Sequence, residues 1–553
     1  MSEAASADLI LHNGAIYTVD PQRSWAKAVA VGGGKILAVG SEAEVLALRG
    51  AKTDIVDLGG AMVMPGINDV HNHHFLGGRA DLYETNFSPL LSFDDILGLV
   101  RATAAKAAPG EWIFGGIWGS DLIGRLSSLD ALAALDAASG GHPVMLRDDS
   151  QHNRWVNSRA LALIGITAET PDPPDGEIVR DAATGKPLGL LYEKASALAE
   201  RAVAAAAGQS PDRGVTTARR AVEILNSYGI TGFQDAAAML PILQALKALD
   251  AKGQLSAWCV ASMPAHDTLF GEELFGDDLV ALREDFRGPH VRPDFVKIFM
   301  DGVPPARTAA MIDPYIADKL HGCCFRGDVK LSVPELARWI AKYEKQGLGV
   351  KIHCAGDGAV RATLDAVDVV RSFNGPGRRH HIAHASFIDP ADVPRFKELD
   401  VVADLSPIIW YPSPIVEAIR QAVPEDRAKR FWPNRDLLEA GALMAAGSDW
   451  PVMPTPDPWL GIEGMVTRRN PDGDFPGALW PEQALDLATV LEIYTINPAR
   501  AMGMEAVTGS LEVGKSADFI LLDRNLFEIP AEELADTKVT RTYFEGKPVY
   551  ERA

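Results

Sequence analysis

Eight short apolar runs, threaded through the middle of the chain and separated by amphipathic stretches, constrain the fold more than any other feature of this sequence. They are the run ending at His71, then "TGFQDA", "LSAWCVAS", "DFVKIFMDG", "GVKIHCAGD", "HHIAHAS", "VVADLSP" and "LMAAGSDWP". Stretches such as "VPELARWIAKYEKQG" and "DLLEAGALMAAG" lie between them with helical spacing. Apolar strands that alternate with helices bury both faces as a parallel sheet under a helical coat, and eight such units close a (β/α)8 barrel.

The rest of the 553 residues has to be placed around that barrel. The first sixty residues read as short strands broken by glycine turns, and the tail repeats the pattern in "GSLEVGKSADFILLDR" and "VTRTYFEGKPVYE". Neither end carries enough apolar surface to stand alone, so the two are expected to combine as one discontinuous β-sandwich domain, 1–62 with 500–553. The barrel takes 63–499. Residues 76–228 are far too long for an ordinary connection and are expected as an inserted subdomain over the barrel mouth. The expected class is thus α/β: a TIM-like barrel with an insertion, plus the terminal sandwich.

A formal charge of -21 excludes the basic face that nucleic acid or an anionic membrane requires. The start, "MSEAASADLILHNGAIYTVD", has no export-signal pattern, no apolar run reaches the roughly 20 residues of a membrane span, and the four cysteines show no Cys-x-x-Cys spacing. A cytoplasmic protein follows, acting on a small molecule, with a homo-oligomer left open.

In a barrel of this kind, chemistry sits where the strands end. The first run supplies His71 and His73 within "GINDVHNHHF"; read as one strand from Val63 to His73, both point one way and His74 the other. The fourth supplies Lys297, the fifth His353, the sixth His384 and the eighth Asp449. A lone strand-end histidine is more often structural than a ligand, but coincidence over five strands reverses that. Lys297 is the sharpest anomaly, because a buried ammonium without a partner is costly. An ion pair with Asp301 is one relief; carbamylation by CO2, which turns the amine into an anionic oxygen donor, is another. Imidazoles and carboxylate oxygens together suit Zn2+, and a bridging carboxylate lets two cations sit side by side.

In its ordered set of motifs the chain resembles the amidohydrolase superfamily, in the branch of the N-substituted formamide deformylases (amidohydrolase family 3). These motifs include "MPGINDVHNHH", "HNRWVNSRALALIGI", "FVKIFMDG", "KIHCAGDGAV", "RRHHIAHAS", "GSDWPV" and "YTINPARAMG". The resemblance implies two divalent cations, Zn2+ by default. His71 and His73 would hold the more buried one, His353 and His384 the more exposed one, and Lys297 would bridge them as a carbamate. Asp449 would be a ligand and proton shuttle. It departs from the family pattern at Ser406, where a glutamine is usual, and at Gly358, where an arginine is common.

For substrate contacts the resemblance implies His152, which matches a family histidine of the insertion, and the sequence adds Arg307 for an anionic group or developing oxyanion, and Trp118 and Trp410 as an apolar wall. The expected reaction is hydrolysis of an amide or other non-peptide carbon–nitrogen bond, by a hydroxide held between the cations and with Asp449 moving the proton. An esterase or lactonase at the same site is the alternative. A deaminase with one metal and a non-enzymatic metal scaffold rank below it.

Overall fold

The computed structural model describes residues 6–150, 152–207, 211–266, 274–318, 321–409, 411–453 and 455–553. Its centre is an eight-stranded sheet of β1 (Ile67–Asn72), β2 (Ile230–Asp235), β3 (Trp258–Pro264), β4 (Val291–Phe299), β5 (Gly349–Cys354), β6 (His380–His384), β7 (Val401–Leu405) and β8 (Met444–Ala446). Each strand pairs in parallel with the next in sequence, so the eight apolar runs are the eight strands of a TIM-like barrel. Strands β5 to β8 are buried along their whole length, as expected when helices cover one face and the barrel interior the other.

The helices are cut by the same logic. Val333–Glu344 begins at a capping box in which Ser332 and Glu335 satisfy each other's backbone N–H groups. Its buried residues Leu336, Ala337, Ile340 and Tyr343 recur at three- and four-residue spacing, one stripe against the strands. Each large apolar side chain in such a stripe contributes about 1.5–3 kcal/mol by leaving water.

Between β8 and β1 the ring is drawn together by backbone. Asp449 N–H donates to the His71 carbonyl and His73 N–H to the Trp450 carbonyl, both at 2.8 Å. Gly447 makes this approach feasible: a Cβ there would meet His71 N and Cβ at 2.6 Å. The first and last strands therefore deliver their functional residues side by side.

The two chain ends meet as sheets. Phe519–Leu522 pairs antiparallel with Met62–Pro65 in a six-stranded sheet, and Ala7–His12 belongs to a four-stranded one. Leu9, Leu11 and Val29 share one core with Leu511, Phe519 and Tyr543. Between β1 and β2 lies a five-stranded mixed sheet, running in space Gly176–Arg180, Pro187–Glu193, Asn153–Val156, Val144–Asp148, Ile113–Trp118. The helices at the two ends of that stretch, His74–Tyr83 and Pro211–Ser227, pack on each other instead, where a Cβ on Gly78 would meet the Thr217 carbonyl at 2.4 Å. Ala218, Ala221, Val222 and Leu225 of the second helix join the barrel core. Among the described residues no helix is long and apolar enough to cross a membrane.

Candidate metal centre

The parallel register sets the strand ends level. Phe299 stands opposite His353, and Cys354 opposite His384. The single strand expected from Val63 to His73 is in fact two, broken at Gly66: Met62–Pro65 belongs to the terminal sheet, and β1 ends at Asn72. His73 has left the strand and caps the helix His74–Tyr83. Strand alternation is therefore not what aligns it with His71. Both imidazoles nonetheless bring Nε2 to 3.6 Å from Asp449 Oδ1. One ligand atom from each of His71, His73 and Asp449 lies within 4.8 Å of the others, close enough to share a cation.

The other imidazoles continue the cluster. Ring centroids are 4.8 Å apart for His71 and His384, and 4.7 Å for His384 and His353. In each of these rings one nitrogen is engaged by the protein. His71 Nδ1 lies 3.2 Å from Asp404 Oδ2, His384 Nδ1 lies 3.1 Å from Ser406 Oγ, and His353 Nε2 lies 3.0 Å from the Gly302 carbonyl. Among the described residues, none hydrogen-bonds the opposite nitrogen of these rings. His384 and Asp449 both have positive φ, at 69° and 53°, strain of the kind that persists where surrounding structure enforces it.

Lys297 is 1% exposed on β4, and among the described residues its Nζ makes no hydrogen bond or ion pair; the Phe299 ring lies 5.0 Å away. The ion pair with Asp301 is not formed. Asp301 instead accepts the N–H groups of Ala310, Ala355 and Gly356 at 3.0, 3.0 and 2.8 Å, holding together the loops after β4 and β5.

These groups fit divalent cations. His71 Nε2 and Asp449 Oδ1 are buried with no hydrogen-bond partner among the described residues, an expensive arrangement unless something else binds them. Burial, with the positive charge of Lys297 adding to it, holds His71 and His353 well below the usual imidazole range and His73 down to about 4. Neutral imidazole is the form that binds metal. Burial also pushes Asp449 up to about 8 against the pull of Lys297, and pushes Lys297 down to about 7, with the Lys351 charge acting the same way. Without added charge, the site penalises each of its own ionised forms.

Three supporting residues escaped the sequence reading. Asp404 on β7 accepts from Lys351 Nζ and from His71 Nδ1. Lys351 Nζ also donates to the Val70 carbonyl at 2.9 Å. Asp69 accepts the N–H of His71 and of Ser448 at 3.0 Å and the Ser448 hydroxyl at 2.6 Å, locking β1 to the turn after β8. The signal was present: "VVADLSP" and "GVKIHCAGD" each carry a charge inside an apolar strand, the anomaly that exposed Lys297. His74, expected to point away from the site, bonds Asp235 Oδ2 at 2.6 Å.

The expected substrate contacts separate. His152 lines the cavity over the metal cluster, 5.8 Å ring to ring from His353, with Nδ1 at 3.1 Å from Glu193 Oε2. Trp118 does not line it. It is fully buried in the core of the inserted sheet with Phe93 and Trp155, and its indole N–H donates to the Leu146 carbonyl at 3.2 Å. Arg307 is turned away, with Nε at 3.2 Å from Asp318 Oδ2 and Nη1 donating to the Ile316 carbonyl at 2.6 Å. A local carboxylate and a carbonyl outcompete any substrate anion for it. Trp410 lies outside the described residues. Ser406, in place of the glutamine, bonds His384, and at Gly358 a Cβ would meet the Ala310 carbonyl at 2.9 Å.

Comparison with known proteins agrees with this geometry. Residues 54–550 match the amidohydrolase family. An N-substituted formamide deformylase of Arthrobacter pascens is 30% identical, over 99% of this chain and 98% of its own length. A putative amidohydrolase of Bacillus subtilis is 29% identical, over 98% and 99%. Among solved structures, an uncharacterised metal-dependent hydrolase of Pyrococcus horikoshii superposes with a TM-score of 0.73 at 26% identity, over 95% of this chain and 99% of that one. The chain belongs to the amidohydrolase family, and its chemistry is hydrolysis of carbon–nitrogen bonds other than peptide bonds.

Proposed function

We propose that this protein is a cytoplasmic hydrolase of small amides or N-acyl compounds, formamides, carbamates and anilides included. Two divalent cations, Zn2+ by default, would be held by His71, His73, His353, His384, Asp449 and a carbamate on Lys297. The observation that carries this reading is a pair of buried atoms with no partner among the described residues, His71 Nε2 and Asp449 Oδ1, set 3.6 Å apart at the barrel mouth beside Lys297, which pairs with no described residue. Bound there, the cations supply acidification of a water and polarisation of the substrate carbonyl.

Everything else falls to the chain. The Lys297 amine, kept neutral by burial, attacks CO2 through its nitrogen lone pair and releases one proton. The product is an anionic carbamate, so the side chain would meet the cations with negative charge and two oxygen donors. Asp404, fixed by Lys351, accepts from His71 Nδ1 and so points Nε2 at the cluster. Ser406 does the same for His384. Asp449 takes the proton from the attacking water and returns it to the leaving nitrogen, so that the amine departs neutral. His152, oriented by Glu193, lines the same cavity beside His353 and is placed to meet the substrate.

The test is a panel of N-formyl, N-acetyl, carbamate, aryl-amide and ester substrates on metal-loaded protein, with metal counted per chain. Amine release at two metals per chain supports the reading. Turnover of esters alone, or full activity at one metal, overturns it.

A further inference from the structure

The cavity over the metal cluster has two unlike walls. One comes from the barrel loops and is apolar, with Val303, Pro304, Ile415, Ile419 and Trp432. The other comes from the inserted sheet and carries Ser120, Asp149, Ser150 and His152. Set aside the metal cluster itself, and the described lining contains one carboxylate, Asp149, and no arginine or lysine. Arg307, which follows β4 toward the mouth, is spent on Asp318 and the Ile316 carbonyl.

The polar wall is a wall of acceptors. Asp149 is 7% exposed, and among the described residues its carboxylate is engaged by one residue, accepting the Ser120 N–H at 2.9 Å and the Ser120 hydroxyl. Its neighbour Asp148 is already occupied, by Asn153 N–H at 2.9 Å, Asn153 Nδ2 at 2.7 Å and the Ser150 hydroxyl at 2.5 Å. Among the described residues no ion pair neutralises Asp149; its backbone N–H is tied to the Trp118 carbonyl at 2.9 Å, which fixes the loop that presents it. Burial and then the Asp148 charge push its carboxyl up to about 7, the mark of a carboxylate short of positive charge. At His152, burial works against ionisation of the neighbouring Glu193, but the His152 contact overcomes it and holds that carboxyl at about 2. The ionised Glu193 carboxylate only accepts, so His152 Nδ1 is the donor in this contact, which fixes the ring at the edge of the cavity.

We propose that this pocket takes N-substituted amides whose substituent is apolar along its length and ends in a hydrogen-bond donor, an ammonium above all, received by Asp149 and Ser120, and that it rejects amides bearing a carboxylate. The inference rests on the amide-hydrolase reading above. A donor meeting Asp149 completes a buried, under-neutralised acceptor; a carboxylate in that place faces a like charge with no cation to receive it, and both penalties grow in a site shielded from water.

Three N-phenethylformamides that differ only at the para position, carrying aminomethyl, methyl or carboxylate, test it on the metal-loaded protein. The expected order of kcat/KM is aminomethyl, methyl, carboxylate, with steps of roughly tenfold that lie mainly in KM, the size of one charge-assisted contact in a partly shielded site. Asp149→Asn should bring the aminomethyl-to-methyl ratio to within about threefold, the neutral amide losing the charge but keeping the shape. Equal turnover of the carboxylate and methyl compounds, or an aminomethyl preference that survives in Asp149→Asn, overturns the inference and leaves the amide reading intact. If none of the three is hydrolysed, the amide reading is decided by the wider substrate panel above. Titration calorimetry of the same compounds on the same protein then decides this one: binding in the stated order upholds it, and absent or unordered binding overturns it.

Discussion

The barrel mouth and the inserted sheet both bury charge, and they treat it in opposite ways. In the inserted sheet, Glu200 receives Arg147 Nε at 2.7 Å and Arg154 Nε at 2.8 Å, while Glu84 takes Arg79 Nε at 2.7 Å and a second arm of Arg147. Burial works against the Glu200 carboxylate, but Arg147, Arg154 and Arg79 together hold it well below the usual range. Among the described residues, the barrel mouth leaves Lys297 without a counter-ion and His71 Nε2 and Asp449 Oδ1 without partners. Within the barrel the same contrast recurs between register neighbours: Lys351, opposite Lys297, is tied to Asp404 and the Val70 carbonyl. Buried charge that is compensated builds structure; buried charge that is not is where an external ion is expected.

That comparison breaks first at Lys297. Lys297→Ala should lose one or both metals by elemental analysis and roughly 10³-fold in kcat/KM, because several kcal/mol of electrostatic stabilisation disappears at 1.4 kcal/mol per decade. Its folded stability without metal should hold or rise, since an unpaired buried amine is removed. Formate or acetate should restore part of the activity by supplying the missing bridge. A variant that keeps both metals would refute the carbamate.

Glu200→Gln probes the compensated side. It removes the carboxylate that Arg147 and Arg154 share and should cost about 3–5 kcal/mol in denaturant unfolding, with metal content unchanged. The pH dependence carries a sign. The folded-state pKa of Glu200 is depressed, so its contribution is complete above the unfolded value of about 4.3 and is lost as pH falls below it. The parent protein should therefore lose stability in that acid range more steeply than Glu200→Gln.

Much of this was legible in the sequence because burial in a barrel strand is nearly total. A charged or imidazole side chain in an apolar run has to be explained, and Lys297, His353, His384 and Asp449 announced themselves that way. All eight strands followed from the same pattern. The inserted sheet was legible as a length and not as a surface. Trp118 and Arg307 sit in segments whose facing is set by long-range packing, by Phe93 and Trp155 in one case and Asp318 in the other, and no local period records such partners. His73 misled in a subtler way. It converges with His71 because the chain turns after Asn72, while a continuous strand would have given the same convergence by alternation.

Asp404→Asn sits between the extremes, since it loosens a ligand without removing one. Asparagine keeps the volume but loses the charge that neutralises Lys351 and holds His71 Nδ1–H. A supporting partner of this kind is worth roughly 10–100-fold in metal affinity, to be read by competition with a chelator. If affinity were unchanged and only stability fell, Asp404 would belong with the structural charges of the inserted sheet.

The smallest effect expected is at Trp118, and it tests whether the inserted sheet contributes only its acceptor edge to the pocket. Trp118→Phe removes the indole N–H that donates to Leu146 and some buried area beside Phe93 and Trp155. The lost hydrogen bond and the smaller ring together should cost about 1–3 kcal/mol in unfolding free energy. The carbonyl of Trp118 must still receive the Asp149 N–H, a backbone contact the substitution leaves in place, so the loop bearing Ser120 and Asp149 should hold its position. Substrate ranking and metal content should therefore match the parent protein while the unfolding midpoint drops. A changed ranking with an unchanged midpoint would mean that the indole reaches substrate, and the division between an inner core and an outer acceptor wall would have to be redrawn.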